Sequence, residues 1–563
     1  MILLYNPVSS AQRKPVLPMS LLAVGAVLEG KYDYRIIDGN LEDDPLQALD
    51  RAVRETDARV LGVTVMPGPQ LEHATPLCRE LKTRHPDLTI VWGGYFPTQH
   101  YDVCLRADYV DYVVRGHGEL VFLRLLEMLT AEQLSDTENH GGERGEPRRD
   151  AEGDGAPPSS RRFETSGRIP VEIPPSELIS SASLRVNPRQ KSISNPQSPI
   201  SQAPTAPQSL PGLAYRHPHT NEITTNPLAP IPHPRELPDF PYHRVDVARY
   251  IRPTFMGQRT LPHHSSYGCP FLCNFCAVVN MVNGRWLAQS AERVAGVVRG
   301  LVQRWDLDAV EFYDNNFFTH EARVAEFAER ILDLNIGWWG EARIDTMLKY
   351  SDETWALMRD SGLRMVFLGA ESGSDETLRR MNKGGTASTA KTLEIARKMA
   401  HYNIVPEMSF VLGNPPEPEE DVAQTMAFIR RVKQVNPATE VILYMYTPVP
   451  LSGELYEQAK ANGFAFPETL EGWISKEWRD FSQRRSSAMP WLKDPLRRRV
   501  RNFERVLNAY YPTATDPGLS GGWRRLLRAV SAWRYHLGVY DFPLELRALH
   551  RLIHYQRPET TGF

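Results

Sequence analysis

Two separate stretches of the 563-residue chain alternate short β-branched runs with helix-length segments, and this repeated alternation is what most limits its fold. In the first, residues 1 to about 130, the runs are ILLYN, YRIID (34–38), VLGVTV (60–65), TIVWGG (89–94) and YVDYVV (109–114). Runs separated by helices of this length need crossover connections, so they form βαβ units and a parallel, doubly wound Rossmann-like sheet. Open sheets of this kind bind ligands at the carboxyl ends of their strands. The turns expected there are Met66-Pro67-Gly68, Gly93-Gly94-Tyr95 and Gly116-His117-Gly118-Glu119. The second stretch, about 260 to 450, places strands at 309–313, 336–341, 364–370, 405–412 and 440–446, with one more just before Cys269. Six βα units without a return to eight predict a partial (β/α)6 barrel with its site at the strand carboxyl ends.

The stretch between the two blocks is different in kind. Residues 132–209 contain 11 Pro and 13 Ser but one aromatic, Phe163, so little apolar surface offsets the entropy of ordering them. We expect a disordered insertion there, then an extended Pro-rich strap over 210–255. The expected domains are therefore 1–131, the insertion 132–209, the strap 210–255, the barrel 256–475 and a helical region 476–563. That last region holds 17 Lys or Arg against 8 Asp or Glu, interspersed with Trp478, Trp491, Trp523 and Trp533. It reads as a helical cap with a solvated basic face, or as a surface for anionic substrate or lipid headgroups with peripheral membrane contact.

A net charge of −3 argues against a protein built around phosphate backbones, so no nucleic-acid partner is expected. The longest obvious apolar run, Leu21 to Leu28, is far short of a membrane span. The opening MILLYNP lacks a basic stretch before its apolar residues and reads as a first strand, which places the protein in the cytoplasm.

Three of the five cysteines fall within eight residues, in Cys269-Pro270-Phe271-Leu272-Cys273-Asn274-Phe275-Cys276. A structural zinc site takes four ligands, often as two pairs, and no second pair exists; His263 and His264 are the nearest candidates. Three thiolates suit a cubane iron-sulfur cluster that leaves one iron open to a ligand. CxxxCxxC with an aromatic, Phe275, before its last cysteine resembles the signature of the radical S-adenosylmethionine (SAM) superfamily. The resemblance implies a 4Fe-4S cluster on Cys269, Cys273 and Cys276 whose fourth iron chelates SAM, and reductive cleavage of SAM to a 5′-deoxyadenosyl radical. It also implies an external electron donor such as flavodoxin or ferredoxin.

The following 180 residues are similar to the same family. In VEFYDNNFFTHE (310–321), Asp314 and Asn315 would face the pocket. GWWGEARID (337–345) ends a strand with Glu341 and Arg343, whose guanidinium could pair with the SAM carboxylate through parallel hydrogen bonds. FLGAESGSDETLRRMNKG (367–384) places Glu371 and Ser372 where the family contacts the SAM ribose or methionine moiety. SFVLGNPPE (409–417) and YTPVPLSGELY (446–456) look like adenine-cradling strands, with Gly413 admitting close backbone approach. Taken singly, each such charged residue is as readily a surface ion-pair partner.

A doubly wound domain ahead of such a barrel resembles the cobalamin-binding domain of cobalamin-dependent radical SAM enzymes. The matching turns would contribute Met66, Gly68, Gly93, Gly94, Tyr95, Gly116, Gly118 and Glu119 as cofactor-binding residues. There is no DxHxxG segment, so His73, His85, His100 and His117 are not expected to ligate cobalt. GxGxxG is also absent after the first strand, against a dinucleotide site. Cys78 and Cys104 read as core residues, too few for the second cluster of the methylthiotransferases that modify transfer RNA.

The expectation is a cobalamin-dependent radical SAM enzyme that methylates an unactivated carbon of a small-molecule or lipid-like substrate. The alternatives are an oxidative cyclase like the anaerobic magnesium-protoporphyrin monomethyl ester cyclase, and a non-catalytic cobalamin or iron-sulfur sensor.

Overall fold

The computed structural model describes residues 1–9, 15–140, 206–217, 220–383, 385–450, 453–482, 489–513, 515 and 519–553. It divides into a large unit, residues 1–126 with 205–563, and a small one, 127–204. Most of the insertion expected at 132–209 lies outside the described residues, although a helix begun at Glu119 continues to His140.

In the large unit, the first sheet has seven strands in the order β2-β1-β3-β4-β5-β6-β7. Five are parallel: β1 (Ile2–Asn6), β2 (Tyr34–Asp38), β3 (Val60–Thr64), β4 (Thr89–Gly93) and β5 (Tyr112–Val114). Between them run α1 (Met19–Leu28), α2 (Pro45–Thr56), α3 (Pro69–Arg84) and the short α4 (Tyr95–Gln99) and α5 (Tyr101–Leu105); α6 (Glu119–His140) follows β5. Local chemistry sets several boundaries. Asp44 caps α2 by accepting from the Gln47 amide, with Pro45 in the first turn, where a missing N–H costs nothing.

The strap needs correction. Residues 213–225 do not run extended between domains but form β6 (Leu213–Arg216) and β7 (Ile223–Thr225), an antiparallel hairpin added to the edge at β5. Pairing with β5 satisfies backbone groups that a solitary extended segment would leave to water.

The second sheet has six parallel strands in the order β15-β14-β13-β12-β11-β8. These are β8 (Thr260–His263), β11 (Ala309–Phe312), β12 (Gly337–Ala342), β13 (Leu363–Glu371), β14 (Val405–Leu412) and β15 (Glu440–Met445). The segment before the cysteines is thus two strands. β8 belongs to the barrel, whereas β9 (Ser266–Gly268) leaves it to pair with β10 (Trp286–Ala288). Alternation along each strand sorts the faces. Val310, Phe312 and Trp338 are buried against the outer helices with Phe317, Phe318 and Phe327, while Glu311, Trp339, Glu341 and Phe367 face a partly accessible interior.

Three helices, Asp494–Tyr510, Gly521–Leu537 and Leu544–Leu552, close the chain. Val500, Phe503, Val506, Leu527 and Leu546 join the barrel core. Among the described residues no helix is long and apolar enough to cross a membrane.

Candidate cluster and cofactor sites

The three cysteines lie on a loop pinned at both ends. Before it, Gly268 has φ +82°, and a side chain there would run into the Arg285 carbonyl of the β9–β10 hairpin. After it comes α7 (Val278–Val282). In between, the Asn274 amide donates to Met381 O at 3.1 Å, its side chain to Arg380 O at 2.6 Å, and Asn382 Nδ2 to Leu272 O at 2.9 Å. Chain elements more than 100 residues apart therefore fix one nine-residue loop.

Asp314 takes a different part from the one its sequence position suggests. It is fully buried, and its carboxylate accepts from the Ser265 and Ser266 amides and from Ser265 Oγ at 2.6, 2.5 and 2.7 Å. It holds the turn leading to Cys269 and does not face the pocket. Asn315 is exposed. The neighbour that reaches the cluster loop is Asn316, absent from the sequence expectation, whose Nδ2 lies 3.8 Å from Cys269 Sγ.

Arg343 is likewise committed. Its Nε and Nη2 donate to the two Asp345 oxygens at 3.0 and 2.9 Å, and Nη2 also to Lys383 O at 2.8 Å. The paired fork expected for a SAM carboxylate is already used by Asp345. What remains is Nη1, 3.5 Å from Cys273 Sγ, with the guanidinium 3.7 Å over the Phe271 ring. Burial raises the Cys273 thiol, and the Lys383 and Arg343 cations oppose that rise. Burial pushes Cys276 up to about 12. A metal bound at these sulfurs would displace their protons, and the two cations would offset the negative charge left behind.

Glu371 sits at the end of β13 with φ +64°, beside a register shift in the β13–β14 pairing. It pairs with Lys383, and Ser409 Oγ lies 3.5 Å from its other oxygen. Gly369 makes room for that pair, since a Cβ there would overlap both charged groups. Ser372 is buried in the next turn, accepting from the Ser374 amide at 3.1 Å, and faces Thr425. Phe275 packs against the core, 5.8 Å beneath the Lys383 ammonium. Glu341 faces the barrel interior. Burial, reinforced by Asp314, raises its carboxyl to about 8.

Gly413 is crowded from within the chain. It has φ +78°, but the group in close approach is Leu492, whose Cδ2 would sit 2.5 Å from an added Cβ; Trp491 Nε1 donates to its carbonyl at 2.9 Å.

The carboxyl edge of the first sheet faces this loop. Tyr95 packs on Ala277 and Val449, beside the cysteine loop. Gln99 donates to Ala277 O at 3.3 Å and accepts from Asn280. Met66 is 45 % exposed beyond β3, its amide held by Gln70 Oε1 at 2.9 Å. Gly68, Gly94 and Gly116 have φ of +82°, +98° and +75°, and a Cβ on Gly94 would press on Thr64 Oγ1 at 3.1 Å. Gly93 and Gly118 are uncrowded, with nearest atoms at 3.7 and 3.5 Å.

His117 and Glu119 meet the barrel at Tyr267, the rings of His117 and Tyr267 being 4.6 Å apart. His117 Nε2, Glu119 Oε2, His264 Nε2 and Ser266 Oγ are buried without hydrogen-bond partners. Buried groups of this kind call for a polar ligand or water; His264 Nε2 also lies 3.7 Å from Asp314 Oδ1. The other histidines are occupied elsewhere. His73 is exposed on α3, His85 bonds Asp50 at 2.8 Å, and His100 is packed among Phe96, Phe466 and Trp473. Cys78 and Cys104 are fully buried in the first domain's core.

The donors on offer are thus three neighbouring thiols on one loop and buried polar groups at the sheet edge; among the described residues no group of three or more His, Cys, Asp or Glu is placed to hold a single metal ion. The B12 binding domain family matches residues 13–126, and the Radical SAM superfamily matches residues 264–429. The chain thus carries a B12-binding domain ahead of a radical SAM domain. It is 23 % identical over 488 residues to an uncharacterized methyltransferase of Pyrococcus horikoshii, covering 85 % of this chain and 86 % of that one. It is 24 % identical over 446 residues to the anaerobic magnesium-protoporphyrin IX monomethyl ester cyclase of Synechocystis sp., covering 76 % and 71 %. Its fold is similar to that of the radical SAM methyltransferase TsrM from Kitasatospora setae, with TM-score 0.54 and 16 % identity, covering 80 % and 74 %.

Proposed function

We propose that this chain is a cobalamin-dependent radical SAM enzyme that methylates an unactivated carbon of a small-molecule substrate. The observation that carries the reading is the position of the three-cysteine loop, between the open barrel mouth and the glycine-rich edge of the B12-binding domain, with Tyr95 and Gln99 reaching it from that edge. When bound, a 4Fe-4S cluster supplies the electron that cleaves SAM, and cobalamin supplies methyl-transfer chemistry.

The protein's own part is to bind, orient and exclude water. Cys269, Cys273 and Cys276 would hold the cluster, with Arg343 and Lys383 balancing its charge. Asp314 fixes the approach to Cys269, and Asp345 fixes Arg343. Glu341, its carboxyl raised to about 8 chiefly by desolvation, faces the barrel interior, where its acid form would donate to a ligand. The packing of Trp491 and Leu492 over Gly413 shields the strand ends from bulk water.

For the cobalamin edge, His117, Glu119, Gly94 and Met66 are the residues that would meet the ring, with no histidine on cobalt. The test is anaerobic reconstitution with iron, sulfide and hydroxocobalamin. About four irons per chain are expected, together with a base-off cobalamin whose Co(II) resonance lacks axial nitrogen splitting. A zinc-loaded protein without an iron chromophore would reject the cluster, and histidine-derived splitting would reject the cobalt geometry. The cyclase relative supports a second reading, ring formation, which product analysis separates from methylation.

A further inference from the structure

The C-terminal helices carry a feature that the radical chemistry does not use. On helix Gly521–Leu537, Leu527, Ser531 and Tyr535 face inward and are buried. Trp523, Leu526, Trp533 and Leu537 recur at spacings of three, seven and four, which puts them on one other face, and all are exposed. The stripe continues past the turn at Gly538 through Phe542 and Leu544, which are 76 % and 62 % exposed; Leu537 itself is 72 % exposed. A soluble protein rarely leaves large apolar side chains together in water unless something covers them.

The flanks of the stripe are basic. Arg525 lies on the stripe's side of the same helix and Arg551 on the next, both exposed, whereas Arg528 turns to the other side, over the Tyr510 ring at 5.2 Å; the region as a whole has 17 Lys or Arg against 8 Asp or Glu. The basic excess of this region disfavours a contact between two copies, which would bring like charges together. Tryptophan and leucine between arginines instead match the headgroup zone of an anionic bilayer, where indoles sit at the boundary and guanidinium groups meet phosphates.

We propose that this face docks the enzyme on the surface of an anionic lipid bilayer, with Trp533, Leu537, Phe542 and Leu544 entering the headgroup layer and the flanking arginines pairing with lipid phosphates. The proposal is independent of the cofactor chemistry.

The test is sedimentation of the full chain with vesicles. Binding is expected to mixed phosphatidylcholine–phosphatidylglycerol vesicles and to fall steeply with added salt, with little binding to phosphatidylcholine alone. Substituting Trp533→Glu with Leu537→Glu, both already exposed, should weaken binding roughly tenfold or more without changing circular dichroism. Arg525→Glu with Arg551→Glu should abolish the preference for phosphatidylglycerol. The proposal is overturned by wild-type protein that stays in the supernatant, or by variants that bind as wild type does. It is equally overturned by light scattering that shows a wild-type dimer which the Trp533→Glu, Leu537→Glu protein loses, since the stripe would then be a contact between copies. If the double glutamate variant does not fold, Phe542→Ser with Leu544→Ser replaces it under the same criteria.

Discussion

Replacing Asp314 with alanine removes the acceptor of three hydrogen bonds at the turn leading to Cys269, and leaves the Ser265 and Ser266 amides buried without that partner. Hydrogen bonds to a charged group contribute about 1.5–3 kcal/mol each. The three share one carboxylate and are not additive, so the cost is nearer the lower sum, about 4 kcal/mol. That is a large fraction of the roughly 5–15 kcal/mol of an ordinary domain. Asp314→Asn keeps an acceptor and loses the charge, for about 2 kcal/mol. Asn315→Ala, at the adjoining exposed position, should stay within about 0.5 kcal/mol. The assay pairs thermal unfolding of the metal-free chain with iron and acid-labile sulfide after anaerobic reconstitution. Both readouts should fall in the order Asn315→Ala, Asp314→Asn, Asp314→Ala. An Asp314→Ala protein that melts like wild type and loads a full complement of iron would refute the assignment of Asp314 to the turn.

Gly413→Ala should cost about 2–3 kcal/mol, part from φ +78° and part from Leu492. In a Leu492→Ala background the same change should cost only about 1 kcal/mol, as a double-mutant cycle in urea would measure. Burial holds His100 down to about 4, with Asp102 opposing. A folded-state value below the usual 6.5 means the unfolded chain binds the proton more readily. The contribution is complete above pH 6.5 and is lost as pH falls toward 4, to a total of about 3 kcal/mol. His100→Phe should flatten the decline in melting temperature between pH 7 and 5; an unchanged decline would rule out His100 as its source.

Most of the parallel strands were legible because they are β-branched runs, β12 (GWWGEA) being read from its aromatics, and the cysteine spacing survived into one pinned loop. What the sequence could not reveal depends on pairing at a distance. LAYR and ITT are too short and too near proline to announce β6 and β7, whose stability comes from β5, about 100 residues earlier. Asp314, Asn315 and Asn316 are consecutive, and only the turn after β11 decides that the first points to Ser265, the second to water and the third to Cys269. Arg343 followed two residues later by Asp345 was a readable ion pair, and it tells against a free guanidinium. The covering of Gly413 comes from residues about 80 positions later, beyond any local signal.

The most direct test of the account is product analysis of methyl-deuterated SAM incubated anaerobically with the reconstituted chain, a reductant and cobalamin. The account predicts 5′-deoxyadenosine that requires each of Cys269, Cys273 and Cys276, and S-adenosylhomocysteine that forms only when cobalamin is present. SAM left intact by a chain with full iron would contradict it, as would S-adenosylhomocysteine formed at the same rate without cobalamin.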